Sequence, residues 1–411
     1  MATYYIDNQT GKNENDGLSP ETARKDYTDI TLVAGDTVLF KRGSFYRDKL
    51  YAVGYVSYGA YGEGEKPTFC ASTDVSDPAD WVAIGKENVW KCVKPILGDV
   101  GNIVFNDGEC TATFRWNLED LSSEGDFYDG QCATGDRASL KTADTDFYLY
   151  SVGNPGDKYS HIEAISYNKR HLVSATDGMS FDGLHFMNSG VHGIQGKGDN
   201  ITVRNCDFEN IGGCAWSREL EIRFGNGFEI WDHGDNILVE NCTFKNVYDS
   251  CVTHQGPGDK TRTAKNFICR GCTFDTYGMA AFEYRDKLPI NSEFTDNVCL
   301  NAGCGFAMLG EELPRKSEIW PQPMGHHIFM WRIPEASDGG NLTIKNNYFG
   351  AAPVGAAIYS IISPEAEAQV QLDNNKYTKN DILLNRWGGE NYNDLDEYKA
   401  ATGQDKDSIY V

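Results

Sequence analysis

The sequence has no window of about 18 consecutive apolar residues, so no membrane-spanning helix is expected. It has no Lys- or Arg-rich run either, and 37 basic against 60 acidic side chains leave a formal charge of −23. Such a surface repels phosphate backbones, so nucleic acid is not an expected partner. The start, Met1 to Ile6, lacks the basic and apolar segments of a signal peptide. The expectation is a cytoplasmic protein, or a secreted one whose signal has been removed; the sequence does not set the oligomeric state. Proline is scarce, 13 against 43 glycines, and the glycines lie among Asn and Asp, a mixture of many short turns that points to β structure. The twelve cysteines are too few for a disulfide scaffold of this length and are not grouped with His at zinc-finger spacing. They read as reduced, small apolar residues, and no metal site is expected.

What is present is a repeat. One phrase, an apolar residue followed by Asn or Gly and then an aromatic, runs through Phe181-Asp182-Gly183-Leu184-His185-Phe186 and Val203-Arg204-Asn205-Cys206-Asp207-Phe208. It returns at Val239-Glu240-Asn241-Cys242-Thr243-Phe244 and Cys269-Arg270-Gly271-Cys272-Thr273-Phe274, then at Asn297, Asn346 with Phe349, and Asn374 with Tyr377. The marks at 183, 205, 241, 271, 297, 346 and 374 are 22, 36, 30, 26, 49 and 28 residues apart. A short minimum with irregular excess is the signature of a β-solenoid with loop insertions. The pattern predicts an all-β, right-handed, single-stranded parallel β-helix. It predicts one domain over 1–411, with N-terminal coils and an excursion in 1–177, regular coils in 178–380 and a cap in 381–411. Cys206, Cys242 and Cys272 should form one buried stack and the Phe positions another. The stretch near 110–150 reads as a hairpin-like excursion, and 393–401 as the best helix candidate.

At Tyr5-Ile6-Asp7, Asn15-Asp16-Gly17-Leu18-Ser19-Pro20-Glu21-Thr22 and Ala34-Gly35-Asp36-Thr37-Val38 the chain resembles the pectate-lyase-like superfamily of right-handed β-helix proteins. Further similar phrases are Gly225-Asn226-Gly227-Phe228-Glu229-Ile230-Trp231, Tyr248-Asp249 with Thr253-His254-Gln255-Gly256, Phe282-Glu283-Tyr284 and Gly325-His326-His327. The resemblance implies action on a poly- or oligosaccharide, by hydrolysis, elimination or epimerisation. Fold-level likeness does not choose among these.

The chemistry is sought in a column. Phe228-Glu229-Ile230 and Phe282-Glu283-Tyr284 share a strand pattern with the aromatic inward and Glu outward. Tyr248 precedes His254 by six residues, as Tyr277 precedes Glu283, which predicts Glu229, His254 and Glu283 stacked in register as the catalytic group. Two carboxyls suit glycoside hydrolysis, and a spacing of about 9–10 Å at the backbone suits inversion. Asp232 and Asp286 stand in reserve. Trp231, Asp249, Gln255, Tyr284, Arg285, Arg223, His326, His327 and Trp331 are the candidate sugar-binding residues. Several lie in two insertions, Gly212–Asn226 (with Trp216) and Gly305–Gly340 (with Arg315, Trp320 and Arg332), expected as cleft walls. The hydrolase reading needs no cofactor. A lyase or uronate epimerase would use Arg or Ca²⁺ to neutralise a uronate carboxyl and a base to take its C5 proton. A non-catalytic glycan-binding solenoid is the third reading.

Overall fold

The structure is a computed structural model that describes residues 1–130, 146–167, 171–219, 221–256, 263–307, 325–333, 341–361, 367–380 and 383–411. Three long sheets run side by side along the molecule, two of ten strands and one of nine among the described residues. Each turn of chain contributes one strand to each. Ile237–Glu240 lies in the first sheet, Thr243–Val247 in the second and Ser250–Gln255 in the third, and the chain re-enters the first at Phe267–Arg270. Neighbouring coils pair in parallel, residue over equivalent residue: Val203 over Val239, Phe208 over Phe244, Phe228 over Val252.

The repeated Asn/Gly mark has a backbone cause. Gly183, Asn205, Asn241, Gly271, Asn346 and Asn374 all turn from the first sheet to the second with φ between 52° and 71°. Only Gly, and after it Asn and Asp, enter that left-handed region at low cost. In the fifth copy it is Asp296 (φ 58°) that makes the turn, one residue before the expected Asn297. Asn297 instead occupies the buried position that follows. That column runs Cys206, Cys242, Cys272, Asn297, Asn347, Asn375, so the expected thiol stack is continued by an amide ladder. Asn297 Oδ1 accepts the Cys272 backbone N–H at 2.9 Å, Asn347 Oδ1 that of Asn297 at 3.0 Å and Asn375 Oδ1 that of Asn347 at 3.0 Å. A thiol and an amide both fit a narrow turn and both reach a backbone group, which is why one can take the other's place in this slot. None of the described cysteines is bonded to another, and the Cys-x-x-Cys pair Cys269 and Cys272 lies inside this core.

The aromatic column is also in place. Phe186, Phe208, Phe244 and Phe274 stack with centroids 5.4, 4.5 and 5.2 Å apart, all buried. At the C-terminus Leu395–Thr402 is a helix, capped by Asp394 on Asp396 and Glu397 N–H and ended by Gly403 at φ 71°. Leu395 and Tyr398 join the main core, so the helix closes the last coil.

The excursion is larger than the sequence suggested. Between Thr68–Cys70 and His171–Ala175, both part of the solenoid, the chain builds two mainly antiparallel sheets from strands spanning residues 73 to 166. These sheets carry their own core of Trp81, Ile103, Phe105, Phe127, Phe147 and Leu149. Its strands alternate less regularly than the coils and show no repeat, so only its centre stood out in sequence.

The stacking accounts for a direct test. Phe244 lies between two rings, and its truncation leaves a cavity that the neighbouring coils cannot close. Phe244→Ala is expected to lower the unfolding free energy by about 3–5 kcal/mol, measured by denaturant titration. A loss under about 1 kcal/mol would mean that the column does not hold the coils together.

Candidate functional site

The outer face of the third sheet carries the candidate site. Its strands pair so that Gln195 lies beside Glu229, Glu229 beside Thr253, and Thr253 beside Glu283. Glu229 and Glu283 are therefore on one face and in one column, two coils apart, about 9–10 Å along the axis at the backbone. Both line a cleft of about 730 Å³, together with Ser174, Gln195, Trp231, Asp249, Gln255 and Arg285. The hairpin formed by Cys214–Ser217 and Ile222–Phe224 supplies Trp216, Ile222 and Phe224 to the same cleft.

His254 is not in this column. The residue between the two glutamates is Thr253, and His254 points inward, fully buried, with Nε2 donating to the Gly234 carbonyl at 2.9 Å and its ring edge-on to Phe267. Burial pushes its pKa down to about 4, so the ring is neutral. The six-residue count was taken from the wrong residue, because Val247, not Tyr248, pairs with Tyr277. A slip of one residue in a strand moves the side chain to the other face.

Four other sugar-binding candidates do not line the cleft. Tyr284 pairs with His254 and lies in the core. His327 bonds the Tyr277 hydroxyl and the Gly350 carbonyl and stacks on Phe349; burial pushes its pKa down to about 4. His326 Nδ1 accepts the Ala356 N–H, and its ring stacks on Tyr359 away from the cleft. Arg223 is buried, donates to the Gly213 and Gly101 carbonyls, and packs over Phe114 and Tyr248. The reserve carboxylates Asp232 and Asp286 occupy left-handed turns (φ 78° and 61°), and Asp286 pairs with Arg332 at 2.9 Å. Arg315 and Trp320 lie outside the described residues.

The two glutamates sit in different surroundings. Glu229 accepts from Gln195 Nε2 at 2.7 Å, from Gln255 Nε2 at 2.8 Å and from Asn226 Nδ2. Burial alone would raise its pKa, but His192, the amide donors Gln195 and Asn226 and the Arg285 charge together outweigh it and hold the carboxyl below its ordinary value. His192 Nδ1 lies 3.6 Å from Oε2 and 3.0 Å from the Asn226 backbone nitrogen. Glu283, fully buried at its carboxylate end, accepts from Ser250 Oγ at 2.8 Å and from Trp331 Nε1 at 2.9 Å. Trp331 thus holds Glu283. Arg285 lies 5.6 Å from the Trp231 ring and 5.5 Å from the Trp331 ring. Trp231 is 40% exposed and offers an apolar face at the cleft edge.

Among the described residues no three His, Cys, Asp or Glu side chains gather as metal ligands. No helix among the described residues is long and apolar enough to cross a membrane.

A family model described as "Right handed beta helix region" matches residues 160–312. No curated protein sequence matches the chain. A solved complex of XylC with xylose is similar to it in structure, at 14% identity and a TM-score of 0.51, covering 93% of this chain and 62% of that one. The chain is a right-handed parallel β-helix. This β-helix spans less than two thirds of the XylC protein's length. Weaker likenesses are to a structure titled a glycoside hydrolase (8% identity, TM-score 0.38, covering 92% and 93%) and to pectate lyase Pel9A (12%, 0.40, covering 100% and 77%).

Sequence reasoning missed the residues that set the state of Glu229: Gln195, Asn226 and His192. A signal existed. Ser189, Val247 and Tyr277 end equivalent second-sheet strands, and six residues after each come Gln195, Thr253 and Glu283. It also missed Asp99, which accepts the Ala215 N–H at 2.7 Å and so ties the cleft-wall hairpin of the β-helix to the inserted sheets. Burial, and then the neighbouring Asp129, push its pKa up to about 8. With the unfolded carboxyl at 3.8, the folded state holds a proton that the unfolded state has lost. Stability from this group is therefore full below about pH 4 and is lost as pH rises towards about 8. Melting curves of the wild type and Asp99→Asn should converge at the acid end and separate in favour of the variant as pH rises through that window. A constant offset would contradict the assignment.

Proposed function

We propose that the protein is a glycoside hydrolase acting on a poly- or oligosaccharide, with Glu229 and Glu283 as its carboxylate pair. The observation that carries this reading is their position: two buried acids in one column, inside one sugar-sized cleft with an exposed indole at its edge. Glu229, held ionised, is the base. It takes a proton from water as the water oxygen bonds the anomeric carbon. Glu283 gives its proton to the departing glycosidic oxygen as that bond breaks. A backbone separation of about 9–10 Å leaves room for the water and favours inversion of the anomeric centre. Trp231 stacks a sugar ring, and Asp249 and Gln255 face its hydroxyls.

Arg285 favours one competing reading. Its guanidinium makes no hydrogen bond or ion pair among the described residues and lies between two indoles at the cleft. It would neutralise a uronate carboxyl in a lyase or epimerase. A lyase product carries a new C=C bond with its own ultraviolet absorbance, which hydrolysis does not produce.

Glycan panels, beginning with xylo-oligosaccharides, identify the substrate. On it, Glu229→Gln and Glu283→Gln should each cut turnover by about 10²–10⁴-fold while binding persists. Turnover unchanged in either variant removes the assignment, and binding without turnover in the wild type leaves a glycan-binding solenoid.

A further inference from the structure

The outward column that carries the glutamates continues towards the N-terminus, beyond the cleft. Leu50 bridges Val173, and its backbone N–H donates to Leu172 at 2.9 Å, so residues 49–51 add a further rung to the third sheet. Leu50 is buried in the core, and the next residue, Tyr51, turns outward and is 48% exposed. The rung places Tyr51 beside Ser174, which lines the cleft; Ser174 pairs with Gln195, and Gln195 with Glu229. Tyr51 is thus three coils from Glu229 on the same face, about 14 Å along the axis.

Tyr51 does not stand on a bare surface. It lines a second hollow of about 430 Å³ with Tyr27, Tyr46, Asn13, Lys25 and Asp48. The Tyr51 backbone N–H donates to Tyr27 Oη at 2.8 Å, its hydroxyl reaches Asp48 Oδ2 at 3.3 Å, and Lys49 Nζ lies over one face of the ring, 5.2 Å from its centre. Asn13 spends its side-chain carbonyl on the Asp26 N–H, and its NH₂ has no partner among the described residues. Nor does the Lys25 ammonium. A fixed aromatic face ringed by amide, ammonium and carboxylate groups is the composition that receives a pyranose ring: the ring's C–H face lies on the phenol and its hydroxyls meet the polar rim.

We infer that this hollow is a distal carbohydrate subsite, and that the substrate is a chain of several sugars laid along the coil axis from Glu283 to Tyr51. The proposal rests on the carbohydrate reading above and extends it to the length of the substrate. The spacing supports it, since each coil advances about 4.8 Å, close to the advance of one extended pyranose unit. A disaccharide spans about two coils, so one bound at Glu229 and Glu283 leaves Tyr51 untouched.

The test is calorimetric binding of xylohexaose, cellohexaose and hexagalacturonate, and of the corresponding disaccharides, to the full chain and to Tyr51→Ala and Tyr51→Phe. Tyr51→Ala should weaken binding of a hexasaccharide about tenfold. Tyr51→Phe, which keeps the ring, should retain that binding, and the matching disaccharide should bind all three proteins alike. Equal hexasaccharide affinity in the wild type and Tyr51→Ala, an equal loss for the disaccharide, or no binding by any member of the panel overturns the proposal. Unchanged hexasaccharide binding in Tyr51→Ala, with turnover still lost in Glu229→Gln, removes the distal subsite alone. Tyr51-dependent binding with full turnover in both glutamate variants removes the hydrolase reading alone.

Discussion

Parallel pairing of equivalent residues in the third sheet is the constraint on which the rest of the structure depends. Because strand side chains alternate with a period of two, the pairing decides for a whole column which residues meet solvent and which enter the core. It brings Glu229 and Glu283, 54 positions apart in the chain, to the same wall, and it sends His254 and Tyr284 into the interior. The register is enforced elsewhere, by the Phe stack of the second sheet and by the left-handed turns and buried amides at the corner between the first two sheets. These features carry no chemistry, yet they set the height at which each carboxylate sits.

The architecture was readable because its causes are local and repeated. A left-handed turn demands Gly, Asn or Asp at Gly183, Asn205, Asn241 and Gly271, and a core column demands an aromatic three residues later. The two glutamates were readable because each follows a buried Phe. The histidine between them was misplaced because two tyrosines, Tyr248 and Tyr277, look alike in sequence, although only Tyr277 ends a second-sheet strand and Tyr248 stacks near Phe306 outside the main core. His326, His327 and Arg223 are polar residues next to an insertion, a pattern shared by cleft walls and by buried corners. Only the hydrogen-bond partners distinguish the two, and in all three cases the partners are backbone or core groups.

The inserted sheets give the β-helix a feature that its repeat does not contain. Asp99, Gly101 and Trp116 receive the backbone or side chains of Ala215, Arg223 and Arg218. The hairpin that carries Trp216 and Phe224 over the cleft is therefore clamped from outside the solenoid. A cleft wall made of one short hairpin would otherwise be marginal in water. The buried Asp99 is a cost of that clamp, with its proton retained where an exposed carboxyl would have lost it.

The central claim is that the third-sheet register places both carboxylates on one bound sugar chain. A crystal structure of the Glu229→Gln protein with an oligosaccharide in the cleft tests it most directly. A glycosidic oxygen is expected within hydrogen-bond reach of Glu283, with a water or the anomeric carbon's open face turned towards residue 229. A sugar chain bound elsewhere on the coil, or a Glu283 carboxylate turned away from it, would contradict the claim.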